Sequence, residues 1–239
     1  MSTDSKIITS WVIRTKNEER HIGEILDILF KQTRQDFEII IVDSGSTDKT
    51  LKIIEKYPVK LVEIKSEDFN YSYSLNLGIS KTKGKYIGIL SGHSVPQSLV
   101  FQADALKFFS NSTVAAVTGY YVDGIRKFAK PMMFIQNKFQ GEQHHCPWMT
   151  NTNSMIRKDL WNLYPFDERL TRGCEDYDWA VEMLSRNYDV IKTPLFSTIY
   201  YRVNGKPSYW KMKPVWDQIC KELDQKKRPS KSFSTINIT

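Results

Sequence analysis

Residues 38–50 read E-I-I-I-V-D-S-G-S-T-D-K-T, an apolar run of strand type that stops at Asp43 and becomes a loop of Ser, Gly, Thr and Asp. An unbroken apolar run suits a strand buried on both faces, as in a parallel sheet. It sets a carboxylate at that strand's carboxyl end, where open α/β sheets bind ligands. Ser44, Gly45 and Ser46 supply a turn, and Thr47 or Asp48 is suited to cap a helix carrying Leu51 and Ile54. Taken alone, the segment fits an anion or nucleotide site and an ordinary βα connection equally well.

The neighbouring sequence repeats the rhythm. Residues 8–13 read as a first strand, and Ile22, Ile25, Leu26, Leu29 and Phe30 recur at helical spacing with Asn17 as a candidate cap. A helix over 48–56 leads through Pro58 to a third strand at 59–64, so the chain begins β-α-β-α-β. That alternation predicts an α/β fold with a mostly parallel central sheet flanked by helices. A short helix at 72–80 and a fourth strand at 85–90 follow. Pro96 is expected in the first turn of a helix carrying Leu99, Ala103 and Leu106. Residues 114–122 read as one more strand.

From 123 to 150 the rhythm breaks into aromatic, basic and amide residues, among them Gln136, His144, His145 and Trp148. A substrate-specific segment would be grafted at such an interruption. His144 and His145 stand next to each other, so in extended chain they face opposite ways, which argues against a shared metal and leaves acceptor contact or packing. A strand near 154–157, a helix from Lys158, a helix from Glu175 with Trp179 on its core side, and a last strand at 197–203 complete the body.

With 239 residues, 41% of them apolar, the chain is long enough for one large domain and has no run able to span a bilayer. Residues 1–6 are polar and are not expected to act as a signal peptide, and Cys146, Cys174 and Cys220 lack a C-x-x-C pairing, which suits reduced thiols. The expected location is cytoplasmic. Of the net charge of +7, residues 205–239 carry +5 through eight Lys or Arg against three acids. With Tyr209, Trp210 and Trp216, this stretch is suited either to an anionic membrane surface, at roughly 1 kcal/mol per basic residue, or to a solvated helix with a frayed end. Charge so confined to one end, without a recognisable binding motif, argues against nucleic acid as a partner.

Neither G-x-x-x-x-G-K-[ST] nor a G-x-G-x-x-G after the first strand is present. Instead the chain carries R-T-K-N-E at 14–18, V-D-S-G-S-T-D at 42–48, N-Y-S-Y-S-L-N-L-G at 70–78 and L-S-G-H-S-V-P at 90–96. T-N-S-M-I-R-K-D-L-W at 152–161, P-F-D-E-R-L at 165–170 and C-E-D-Y-D-W-A at 174–180 follow. This ordered succession resembles the family 2 glycosyltransferases, inverting enzymes of GT-A fold, in particular a bacterial branch described as rhamnosyltransferase-like. The resemblance runs from about residue 8 to 203. It implies a single Rossmann-like domain over 1–204, with a nucleotide-binding half at about 7–122 and an acceptor half at about 123–204. A basic helix and tail over 205–239 would follow.

The resemblance further implies a nucleotide-sugar donor, dTDP- or UDP-linked, and a saccharide or lipid-linked acceptor in surface polysaccharide synthesis such as capsule or O-antigen. The enzyme would then work at the inner face of the membrane. Arg14, Thr15, Lys16, Glu18, Asp43, Ser44 and Asn76 would form the nucleotide site, with Asp43 accepting from a base N–H. Asp176 would be the general base, ahead of Glu175 or Asp178, with Glu175 orienting it or binding acceptor. Trp148 and Asn153 fall in the acceptor region.

Two departures concern the diphosphate. Where the family carries D-x-D, this chain has Ser91, Gly92 and His93, which lack the carboxylate oxygens that Mg²⁺ or Mn²⁺ prefers. His93 is then the one candidate metal ligand in the motif. Where the family often has V-Y-H, residues 199–202 read I-Y-Y-R. Arg14, Lys16, Arg157 and Arg202 are therefore candidates to hold the diphosphate directly, since guanidinium binds phosphate bidentately. The alternative reading is a noncatalytic sugar-nucleotide binder of the same fold.

Overall fold

Apolar runs become strands and amphipathic stretches become helices in the order the sequence sets out. A computed structural model describes residues 6–123, 134–136, 149–200 and 209–226. The first half contains β1 (Thr9–Thr15), α1 (Ile22–Phe30), β2 (Phe37–Asp43), α2 (Thr50–Ile54), β3 (Lys60–Glu63), α3 (Tyr71–Ser80), β4 (Tyr86–Ser91), β5 (Ser94–Pro96) and α4 (Phe101–Phe108). Next come β6 (Val114–Thr118), β7 (Tyr121–Asp123), β8 (Phe134–Gln136), β9 (Asn153–Arg157) and α5 (Lys158–Leu163). The chain continues with α6 (Glu175–Ser185), β10 (Asp189–Lys192), β11 (Thr198–Tyr200) and α7 (Tyr209–Lys226).

The main sheet has the order β3-β2-β1-β4-β9-β6-β10-β8. Its first four strands are parallel, β9 runs against both β4 and β6, β10 is parallel to β6, and β8 is antiparallel to β10. Alternate residues of β1 feed two cores. Trp11 and Ile13 pack with Ile22, Ile25 and Leu26 on one face, while Val12 packs with Leu75, Ile79 and Trp179 on the other. Burying one such side chain contributes about 1.5–3 kcal/mol, which is why the strand is apolar on both faces. Trp179, read as a core residue, is fully buried.

Two expected elements differ. The strand expected over 114–122 is two strands in two sheets, because β7 joins β11 and β5 in a three-stranded sheet ordered β5-β11-β7. Gly119 lies at the break, where a Cβ would sit 1.4 Å from the Phe196 carbonyl oxygen. Pro96 ends β5, an edge strand where the missing N–H is tolerated, and α4 starts only at Phe101. Leu99 is accordingly exposed instead of lining a helix.

The helix α7 packs on α6 through a third cluster, in which Cys174, Tyr177, Val181 and Leu223 are buried with Trp216, Ile219 and Cys220 against them. Cys174 is a free thiol, and Cys146 lies outside the described residues. Among the described residues no helix is long and apolar enough to cross a membrane.

Candidate active site

The chain leaves β1 to build β2 and β3 on one side and returns as β4 on the other, so the sheet order reverses at the β1–β4 pair. Beyond the carboxyl ends of strands at such a reversal lies the crevice where open α/β sheets take ligands. R-T-K-N-E and S-G-H meet there. Arg14 and Ser91 are in register, and the Gly92 N–H donates to the Arg14 carbonyl at 2.8 Å. Past that contact the buried Glu18 carboxylate lies 2.7 Å from His93 Nδ1.

Asp43, at the end of β2, is fully buried and organises the adjoining loop. Its Oδ1 accepts from the N–H groups of Gly45 (3.0 Å) and Ser46 (2.8 Å), and its Oδ2 from the hydroxyls of Thr15 (2.8 Å) and Ser46 (2.5 Å). A carboxylate has about four lone-pair sites, and here the loop occupies them, so the base N–H that the resemblance assigned to Asp43 would be accepted on Oδ2 only with a Thr15 or Ser46 hydroxyl turned away. Ser44 also bonds inward, through its N–H and hydroxyl to the Thr15 carbonyl. Neither expected cap residue is the N-cap of α2, which is Lys49: Asp48 accepts from the Thr50 N–H at 2.9 Å one residue earlier, and the Thr47 N–H donates to Asn17 Oδ1 at 2.8 Å. Asn17 therefore ties two loops together at a left-handed φ of 56° and does not cap α1, whose N-cap residue is His21. Lys16 Nζ donates to Ser66 Oγ at 2.9 Å from an exposed position.

The acid pair opens α6. Glu175 is buried, its Oε1 accepts from Asn151 Nδ2 at 3.3 Å, and Arg14 Nη1 lies 3.6 Å from that same oxygen. Asp176, half-buried, accepts from the Asn151 N–H at 3.1 Å and from the Tyr177 N–H at 2.8 Å. Burial, followed by the charge of Glu175, pushes the Asp176 carboxyl up to about 7 against the opposing pull of those two N–H groups and of Arg14. Asp178 is buried elsewhere, accepting from the Tyr164 hydroxyl at 3.0 Å. The phenol's own burial, followed by the charge of Asp178, raises Tyr164 well above its usual range. Of the three acids, Asp176 is the least enclosed.

Three expected site residues are placed elsewhere. Asn76 Oδ1 accepts from Trp161 Nε1 (3.0 Å) and the Phe166 N–H (3.2 Å), and its Nδ2 donates to the Phe166 carbonyl (2.8 Å) and Glu168 (2.9 Å). It fastens α3 to the loop after α5 and has no group left for a nucleotide. Asn153, assigned to the acceptor, is buried with its Nδ2 donating to the carbonyls of Tyr120 and Phe196. Arg157 stands at the far edge of the sheet. Because β9 runs against β4, Asn153 pairs with Leu90 but Arg157 pairs with Tyr86, about 13 Å away along the strand. There it binds Asp159 and the Ser112 carbonyl beside a hollow of about 260 Å³. Trp148, Arg202, His144 and His145 lie outside the described residues.

Asn151 was not foreseen as a site residue, although its only sequence signal, the polar run before β9, is what brings it to both acids. Tyr71 was also missed. Its ring lies under the Arg14 guanidinium, 5.1 Å from the centroid.

The donor set does not fit the divalent cation that the family motif implies. Ser91 offers a hydroxyl, Gly92 nothing but backbone, and the His93 imidazole is already joined to Glu18. Among the described residues no three His, Cys, Asp or Glu side chains gather to hold a metal.

Residues 10–163 match the model of the family described as Glycosyl transferase family 2. The uncharacterized glycosyltransferase MJ1057 of Methanocaldococcus jannaschii is 26% identical over 217 residues, covering 85% of this chain and 73% of that protein. An uncharacterized glycosyltransferase of Rickettsia prowazekii, RP339, is 32% identical over 115 residues, covering 47% of this chain and 36% of that protein. With the next three relatives the match covers about half of this chain and about a third of each relative's length. Among solved structures, residues 1–349 of Staphylococcus aureus TarS superpose with a TM-score of 0.65 at 19% identity, over 94% of this chain and 72% of that one. The mannosyltransferase PcManGT of Pyrobaculum calidifontis, solved with GDP-Man and Mn²⁺, gives 0.65 at 16% identity, over 94% of this chain and 74% of that one. At such identities the likeness shows the fold, which is of GT-A type.

Proposed function

The chain belongs to glycosyl transferase family 2, and from that membership we propose that it moves a sugar from a nucleoside diphosphate donor to a hydroxyl of a saccharide or lipid-linked saccharide, with inversion. The observation that carries this reading is the acid pair opening α6: Asp176 is held by the Asn151 and Tyr177 N–H groups, with its carboxyl pushed up by burial and by Glu175, and Arg14 joins Glu175 to the end of β1. A general base works best when its pKa lies near the working pH. In the proposed reaction Asp176 takes the proton of the acceptor hydroxyl as that oxygen attacks the anomeric carbon from the face opposite the diphosphate. The new C–O bond forms as the bond to the diphosphate breaks, and the nucleoside diphosphate leaves.

Arg14, Lys16 and backbone N–H groups of the crevice supply positive potential for the leaving group. The TarS structures solved with UDP and with UDP-GlcNAc support a nucleotide-sugar donor. The name of TarS, a poly(ribitol-phosphate) beta-N-acetylglucosaminyltransferase, supports a role in surface polysaccharide assembly. UDP- and dTDP-sugars, including dTDP-rhamnose, are the donors to try first. A lipid-linked acceptor would bring the enzyme to the cytoplasmic face of the membrane, where the basic residues of 205–239 add attraction.

The test is release of nucleoside diphosphate from a panel of UDP-, dTDP- and GDP-sugars with and without EDTA, by the wild type and by Asp176→Asn. Turnover should persist in EDTA. Asp176→Asn should lower it by roughly 10²–10⁴-fold with donor binding nearly unchanged. Full activity of that variant would reject the base, and activity restored only by Mn²⁺ would reject the metal-free leaving-group site.

A further inference from the structure

The acid pair is held on one side by Asn151 and Arg14, and on the other by a turn of unusual backbone. Gly173 and Cys174, immediately before α6, have φ of 98° and 70°. Two left-handed residues in succession, one of them bearing a side chain, persist only where the surroundings over-determine them. Here the surroundings come from α7. The Trp216 indole N–H donates to the Arg172 carbonyl at 3.1 Å, the Cys174 thiol lies 3.9 Å from the Trp216 carbonyl, and the indole covers Gly173 so closely that a Cβ there would be 3.3 Å from Nε1. Every residue of the turn is thus touched by Trp216. The Cys174 carbonyl in turn accepts the Asp178 N–H at 2.9 Å, starting the helix that carries Glu175 and Asp176.

We propose that Trp216 is a positioning residue, and that α7, which lies outside the matched family segment, completes the active site by clamping the Arg172–Cys174 turn so that Asp176 faces the crevice. This rests on Asp176 being the base. Cys174, the N-cap residue of α6, makes no side-chain cap bond to the helix, so the turn before it is held from outside. The hydrophobic contact of Cys174, Tyr177 and Val181 with Leu223 holds α7 along α6, and Trp216 converts that packing into a fixed turn.

The experiment compares full-length wild type, Trp216→Ala, Trp216→Phe and, on the exposed side of α7, Lys221→Ala. Amide exchange is followed at Asn151, Tyr177 and Asp178, and the donor panel above supplies kcat and donor KM. In Trp216→Ala those three amides should exchange at least tenfold faster while β1 and β4 stay protected. The rate kcat should fall by roughly 10–100-fold with donor KM within twofold, as expected when a catalytic group is misplaced by an ångström or less. Trp216→Phe, which keeps a ring and loses only the N–H, should lie between, and it carries the test if the alanine variant does not fold. Lys221→Ala should match wild type. Unchanged exchange at the three amides, equal acceleration at all amides, or a kcat within twofold of wild type would each overturn the proposal. If Asp176→Asn keeps its rate, the base assignment fails, and the exchange data still decide whether Trp216 clamps the turn.

Discussion

Arg14 Nη1 lies 3.6 Å from Glu175 Oε1, with 12% and 5% of the two side chains exposed. Arg14 is near the end of β1 and Glu175 begins α6, so one ion pair fastens the centre of the sheet to the acid pair across 161 residues of sequence. The same guanidinium covers the Tyr71 ring and reaches the Tyr71 carbonyl at 3.5 Å. It is placed to act on the charge of both acids and on an anion entering the crevice.

Arg14→Gln should therefore have two effects of separate origin. Glu175 keeps its Asn151 contact but loses its cation in a buried setting, which should cost about 2 kcal/mol of stability in urea melts. Arg14 also opposes the upward shift of Asp176, so its removal should move the acid limb of the pH–rate profile to higher pH. An unmoved limb would show that the guanidinium does not act on the base.

Asp176 itself links stability to pH in a definite direction. Its folded pKa of about 7 exceeds that of an ordinary carboxyl, so between the two values the folded state holds the proton more tightly than the unfolded chain does. Its contribution is therefore fully present at low pH and is lost as pH rises through about 7. Asp176→Asn, which cannot charge, should stabilise the protein relative to wild type, and by clearly more at pH 8 than at pH 5. Rate has the opposite dependence, because the base must be deprotonated and turnover should rise through the same range. Urea melts of both proteins at the two pH values measure the first claim. A difference that does not grow with pH would contradict it.

Substitutions at Asp43 should separate its two oxygens. Oδ2 meets only hydroxyls, which can rotate to accept, whereas Oδ1 meets two backbone N–H groups that cannot. Asp43→Asn can keep its oxygen on the N–H groups and turn its amide to the hydroxyls, at about 1 kcal/mol. Asp43→Ala leaves the N–H groups of Gly45 and Ser46 unpaired and should cost about 2–4 kcal/mol. Equal losses in thermal or urea unfolding would contradict this arrangement.

The sequence was most readable where a local pattern decides the structure. The strand ending at Asp43 and the helix opening at Glu175 carry their own apolar periodicity and end signals, and both stand where they were expected. It was least readable where chain direction decides. Nothing local in residues 153–157 announces that β9 runs against β4, yet that reversal alone sends Arg157 to the far edge and leaves Asn153 buried at the near one. Asn76 shows a related difficulty, since an amide that could bind a ligand is chemically the same as one that binds Trp161, Phe166 and Glu168. Trp216 is separated from its partner Arg172 by 44 residues, a pairing that no spacing rule brings together.

The break at Gly119 was hidden in the same way, because the apolar run over 114–122 has the pattern of one strand. Gly119 lets the chain leave β6 and pass against the Phe196 carbonyl before β7 pairs with β11. An alanine Cβ would lie 1.4 Å from that oxygen and 2.7 Å from Asn153 Nδ2, and since the oxygen belongs to backbone, neither side-chain rotation nor a small shift relieves it. Gly119→Ala should cost more than about 4 kcal/mol, enough to leave the variant largely unfolded. Gly23→Ala is the control. Its Cβ would meet two side-chain atoms, Ile53 Cγ2 at 3.3 Å and the Tyr57 hydroxyl oxygen at 3.9 Å, and alanine is favoured over glycine in a helix by roughly 0.5–1 kcal/mol, so this variant should unfold within about 1 kcal/mol of wild type. Circular dichroism with urea titration of both variants is the measurement. A Gly119→Ala protein that melts with the wild type would mean that the chain does not cross the Phe196 carbonyl at this point.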